Sequence, residues 1–128
     1  MRTLTSEWVE KAENDFAVAD LVLHGRTPPI PDAACFHCQQ VAEKYLKAFL
    51  QERAVEFPRQ HNLIPLMELC MAVDPSFQSL LPDLESLESF AVAIRYPGAT
   101  VSPAQAVLVF EAARRVRGFI QRKLEGET

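Results

Sequence analysis

No apolar run in the sequence approaches the ~18 residues that a membrane-spanning helix needs. An apolar leader is missing too: MRTLTSEWVEKAEND turns charged at once, so a cytoplasmic protein without membrane contact is expected. Cysteine is sparse. Three is an odd number and a poor disulfide framework, which leaves buried, reduced thiols acting as small hydrophobes. Cys35-x-x-Cys38 has no second clustered pair to complete a four-ligand zinc site. The Glu-x-x-His spacing of a di-metal carboxylate bundle is absent. The four glycines build neither a phosphate-cradling loop nor a Gly-x-Ser-x-Gly elbow. No metal or cofactor is therefore expected. A formal net charge of −4 removes any global electrostatic case for nucleic acid and argues against RNA as a partner. Sustained strand alternation, repeats and low-complexity segments are also missing.

What is present is helical. The chain has 128 residues, 48% of them hydrophobic and 23% charged, which suits a single domain over 1–128 with an ample core. Helical stripes alternate with proline-rich turns. The first helix is expected from about Ser6, as N-cap, to Leu23, with Gly25 as its stop and a face of Trp8, Ala12, Phe16, Ala19 and Leu23. Asp15 lies beside that face and is expected on a solvated edge. Asp32 to Ala54 contains no Gly or Pro and carries two adjoining apolar stripes, as a centrally packed helix requires. A shorter helix follows from about Asn62 to Val73, then a short turn of helix from Ser76 to Leu81. Another helix runs from about Asp83 to Ile94 or Tyr96, where Pro97-Gly98 breaks it. Ser102-Pro103-Ala104-Gln105 reads as a capping box opening the last helix, striped by Ala106, Val107, Phe110, Ala113, Val116 and Ile120. The fold class is all-α: an antiparallel up-and-down bundle of four main helices plus one shorter helix.

The polar residues of the second helix form a compact group. His37 and Lys44 are seven apart and share a face, with Gln39 and Gln40 beside them. An imidazole, amides and an ammonium can hydrogen-bond a base and meet a phosphate; the same groups can equally bond neighbouring helices or line a dimer interface. Glu43 and Lys47 have the i, i+4 spacing of a minor surface ion pair. His61 either contributes to the same cleft or serves the entry to the next helix. Arg95 and Tyr96 sit at the broken end of the fourth helix, where a guanidinium can take a phosphate bidentately with a phenol beside it. Arg114, Arg115, Arg117, Arg122 and Lys123 make the last helix basic toward its C-terminal half, which fits the helix dipole.

Three landmarks stand in order: Trp8-x-x-x-Ala12-x-x-Asp15; Phe36-His37-Cys38-Gln39-Gln40-Val41-Ala42-Glu43-Lys44-Tyr45-Leu46-Lys47-Ala48; and His61-Asn62-Leu63-x-x-Leu66. With Arg95-Tyr96-Pro97, they make the chain resemble a HEPN domain from about Trp8 to Phe119. That resemblance implies a helical bundle that commonly homodimerises, and whose prokaryotic members often accompany a small nucleotidyltransferase in toxin–antitoxin-like pairs. It also implies a nucleotide site, for which His37, Gln40, Lys44, His61, Arg95 and Tyr96 are the candidates. HEPN ribonucleases place a His shortly after an Arg. Here that Arg is Arg95, and the His positions hold Thr100, Val101 and Ser102. Without that imidazole the usual proton-transfer group is missing, so no catalytic residue is assigned. A non-catalytic subunit is expected; the alternatives are a divergent metal-independent ribonuclease using Arg95 with His37 or His61, or a purely structural dimerisation module.

Overall fold

The computed structural model describes residues 1–126. Its elements are α1 (Thr3–His24), α2 (Pro31–Glu52), α3 (Leu63–Val73), a 3-10 segment (Pro75–Leu80), α4 (Leu81–Ala93) and α5 (Pro103–Leu124). There is no strand among the described residues, and no helix is long and apolar enough to cross a membrane.

The hydrophobic rhythm of α2 places it at the centre. Ala34, Cys38, Val41, Tyr45 and Phe49 from one stripe, and Cys35, Ala42, Leu46 and Leu50 from the other, are all buried. α1 packs along α2 in the opposite direction. Arg2 near the start of α1 bonds Gln51 and Glu52 at the end of α2, while Asp15 further along α1 meets His37 near the start of α2. α5 runs antiparallel to α1, with Phe110 stacked on Phe16 (5.0 Å between centroids) and Arg117 on Glu13. α4 returns antiparallel to α5, Asp83 pairing with Arg115. At one end of the core Phe77, from the 3-10 segment, lies 4.5 Å from Phe49 and 5.1 Å from Phe119. Such offset and edge contacts add about 0.5–1.5 kcal/mol beyond area burial.

The capping box forms as the sequence suggests: the Gln105 amide N–H donates to Ser102 Oγ at 3.1 Å, and the Ser102 N–H donates to Gln105 Oε1 at 2.9 Å. Four expectations change. Ser6 is not a cap: α1 begins at Thr3 and Ser6 lies in its first turn, its N–H bonded to Arg2 O. Val107 is exposed while Val109 is buried, because α5 presents its 109–113–116–120 side to α2. Asp15 is buried between α1 and α2 rather than solvated. Glu43 and Lys47 are likewise interior, since α3 and the segment before it cover that side of α2.

α2 ends in a Schellman-type turn. Val55 N–H donates to Leu50 O (2.9 Å), which requires Ala54 to adopt φ +56°. A left-handed conformation costs an L-residue about 1–2 kcal/mol, against ~0.4–1 kcal/mol of stability that glycine costs by raising the entropy of the unfolded chain. Ala54→Gly is therefore expected to leave stability unchanged or raise it by up to ~1.5 kcal/mol in urea unfolding. A loss beyond 1 kcal/mol would show that the turn is not held this way.

Candidate functional site

The polar residues of α2 divide into separate clusters, because a helix wrapped by neighbours sends its polar side chains into different crevices. In the first, Asp15 of α1 reaches across to α2. Its Oδ1 lies 2.8 Å from His37 Nδ1, and its Oδ2 accepts from Lys44 Nζ. A carboxylate paired with Lys44 accepts, so Nδ1 carries the proton in this contact, and Nε2 makes no hydrogen bond among the described residues. The His37 side chain is 27% exposed and the Lys44 side chain 21%. The ring of Phe36 stands edge-on to His37 at 5.2 Å.

In the second cluster Glu43 accepts from Lys47 Nζ at 3.1 Å, with side-chain exposures of only 5% and 6%. His61 Nδ1 lies 3.4 Å from the same carboxylate, although its ring is largely exposed. Gln39 donates to His61 O at 2.9 Å and accepts from Gln40 Nε2 at 2.8 Å. Gln39, Gln40 and His61 therefore stitch the entry of α3 to α2. Lys47 also stands 5.3 Å over the Trp8 ring.

A third network was not anticipated from the sequence. Arg117 of α5 grips Glu13 of α1 through two parallel bonds of 2.7 Å each. Tyr45 of α2 donates its hydroxyl to the same carboxylate and accepts from Gln121 Nε2 at 3.1 Å. The Arg117 hydrogen bonds hold the Glu13 carboxyl below its ordinary value of 4.5. Burial pushes the Tyr45 phenol upward, and its bond to Glu13 adds to this. Nothing in the local spacing pairs Glu13 with a residue 104 positions away.

Arg95 and Tyr96 occupy the corner after α4. Tyr96-Pro97-Gly98-Ala99 forms a turn closed by Ala99 N–H to Tyr96 O (3.3 Å), with Gly98 at φ +88°, as a type II turn with Pro and Gly at its centre requires. Both side chains are exposed. Among the described residues no hydrogen bond, ion pair or ring contact joins either to His37, Gln40, Lys44 or His61. Of the six candidates, then, His37 and Lys44 meet through Asp15, Gln40 and His61 meet through Glu43 and Gln39, and Arg95 with Tyr96 stand apart. The thiols take no part: burial pushes Cys35 up to about 11, and Cys38 and Cys70 up to about 12. Among the described residues no cluster of three or more His, Cys, Asp or Glu is placed to hold a metal.

The HEPN domain model matches residues 5–124, from the first turn of α1 to the end of α5, and takes in each of these clusters. The chain belongs to the HEPN family. "Putative toxin MJ1304" of Methanocaldococcus jannaschii is 33% identical over 96 residues, 70% of this chain; the match spans 61% of that relative's length. Two solved structures share the fold. An archaeal HEPN homologue superimposes with a TM-score of 0.73 at 24% identity, covering 96% of this chain and 98% of its own. A protein from Thermus thermophilus does so with a TM-score of 0.74 at 21% identity, covering 95% and 99%. In this HEPN chain the signature residues of α2 are thus the ones that tie α2 to α1 and to the entry of α3.

Two measurements check these networks. Lys47→Ala removes the buried cation beside Glu43, leaving that interior carboxylate only the exposed His61 ring and Gln40, and is expected to cost about 3 kcal/mol in urea unfolding, with much of it recovered in the apolar double variant Glu43→Leu/Lys47→Met. A single-variant loss below 1 kcal/mol would place the pair in solvent. Glu13 has a depressed folded-state pKa, so its contribution is complete above 4.5, the ordinary value, and is lost as pH falls through the lower folded value. The gap in Tm between wild type and Glu13→Gln should accordingly narrow below pH 4.5. A gap that stays constant on acidification contradicts the assignment.

Proposed function

We propose that this chain is a non-catalytic HEPN subunit of a toxin–antitoxin-like pair. In this reading it is cytoplasmic, homodimerises through its bundle faces and associates with a separate small nucleotidyltransferase. It offers a nucleotide site to which Arg95 and Tyr96 contribute the anion and ring contacts, with His37, Gln40, Lys44 and His61 on α2 and its flank. One observation carries the non-catalytic part. Of the three positions where a ribonuclease of this family would place its His, Val101 is buried in the core, Ser102 caps α5 and the exposed third is Thr100, so none supplies an imidazole. The similarity to a protein named as a toxin supports the pairing.

A second reading rests on the Asp15–His37 contact, because a carboxylate on Nδ1 orients an imidazole as a general base does. It makes the chain a divergent metal-independent ribonuclease. Against it, Lys44 already neutralises Asp15, and Arg95 does not reach the imidazole through any described contact.

The two readings separate experimentally. A nucleotide site predicts that ATP raises the Tm of the wild type, by the equivalent of about 2.7 kcal/mol at a hundredfold excess over Kd, and that Arg95→Ala abolishes the shift. Absence of a shift with ATP and other nucleotides would remove nucleotide binding from the proposal. Cleavage of RNA without added metal, lost in His37→Ala, would replace it with the ribonuclease. Purification from the native host should bring down a small nucleotidyltransferase; a clean homodimer instead would leave a structural dimerisation module.

A further inference from the structure

One concavity lies away from every residue assigned above as a nucleotide contact. It is an open groove of about 500 Å³ where the end of the 3-10 segment and the start of α4 meet α5. Four arginines line it: Arg114, Arg115, Arg117 and Arg122. Arg114, Gly118 and Arg122 follow at i, i+4 and i+8, so the glycine forms a notch between two guanidinium side chains one turn above and below it. A glycine inside a helix costs about 0.5–1 kcal/mol relative to alanine. Here it leaves an open floor, over which Arg122 folds: a Cβ at Gly118 would lie 3.5 Å from Arg122 Nη1.

The four cations are not equally engaged. Arg117 is committed to Glu13, and Arg115 holds Asp83 with bonds of 3.0 and 2.9 Å. Arg114 has a 3.4 Å contact with Glu111 and stands 5.8 Å over the Phe110 ring, both partners on its own helix, and the Arg114 and Glu111 side chains are well exposed. Arg122 has no hydrogen bond or ion pair among the described residues. The groove therefore presents one uncommitted guanidinium and one loosely held one, across a floor without a side chain. This cationic notch stands in a chain whose net charge is −4.

We infer that this groove is an anion site of its own, taking a phosphate group between Arg122 and Arg114 over Gly118. A phosphate fits the observation better than a carboxylate. Its several acceptor oxygens let two planar guanidinium forks bind on separate oxygens, whereas a carboxylate has only two, and a single bidentate Arg engages both, as Arg115 does those of Asp83. The site does not depend on the nucleotide proposal, since it uses neither α2 nor the Arg95 corner.

The test is isothermal titration of the full chain with pyrophosphate and with inorganic phosphate at low ionic strength, against a sodium chloride control matched for ionic strength. Saturable binding of pyrophosphate is expected, weakened roughly tenfold or more in Arg122→Gln and unchanged in Arg26→Gln, an exposed arginine outside both the groove and the proposed nucleotide site. Gly118→Leu, which fills the floor, should weaken it comparably while the circular dichroism spectrum stays helical. If sodium chloride reproduces the heats, if Arg122→Gln binds as the wild type does, or if the loss appears in Arg26→Gln instead, the groove is not the site.

Discussion

Burial of α2 on nearly every side is the constraint from which the rest of the structure follows. A surrounded helix cannot leave its polar groups to water, and an unpaired charge in the interior costs several kcal/mol. Each polar residue of its signature must therefore be answered, either within α2, as Gln40 is by Gln39 and Lys47 by Glu43, or from a neighbouring element. Asp15 and Glu13 come from α1, His61 and its carbonyl from the entry to α3, and Arg117 and Gln121 from α5. These partners set the register of three elements against one. A shift of α1 by one turn would separate Asp15 from His37 and Lys44, and Glu13 from Tyr45, at the same time.

The satisfied interior and the exposed corners divide the chemistry between them. His37 and Lys44 share one carboxylate and Glu43 is ringed by Lys47, His61 and Gln40, so these groups act mainly as oriented, internally neutralised elements. Uncommitted positive charge lies elsewhere, on Arg95 beyond α4 and on Arg122 along α5. An anion approaching the protein meets exposed guanidinium groups, and the paired residues of α2 supply position more than charge.

The fold was largely legible because period and punctuation agree. The two stripes of α2, the Pro-Gly break after α4 and the Ser102-Pro103 start of α5 each point to a boundary that the backbone adopts. The misplaced features depend on tertiary cover. Asp15 and the Glu43–Lys47 pair carry the local marks of a solvated edge, and only the packing of α1 and α3 makes them interior. Val107 and Val109 are equally apolar; which one faces the core depends on the rotation of α5 about its axis, to which α2 contributes more than local sequence does. The candidate site was legible in part. The motif drew attention to the right stretch of α2, but spacing along one helix could not show that Asp15 would draw His37 and Lys44 together while Gln40 turned toward Glu43. Glu13 and Arg117, so far apart in the chain, left no local signal at all.

That separation bears on how the molecule reaches its native state. The α1–α2 pair joins segments close in sequence, whereas the Glu13–Arg117 clasp closes a loop of almost the whole domain. The entropic cost of such a closure grows only with the logarithm of loop length, but it must be met before the contact returns anything. Contacts of this kind raise contact order and slow folding relative to a bundle held by neighbours alone. Tyr45 already offers Glu13 a hydroxyl from within the helical hairpin, so the carboxylate has a provisional partner while the last helix is still unattached. Arrival of Arg117 then converts a local hydrogen bond into the lock between the first and last helices.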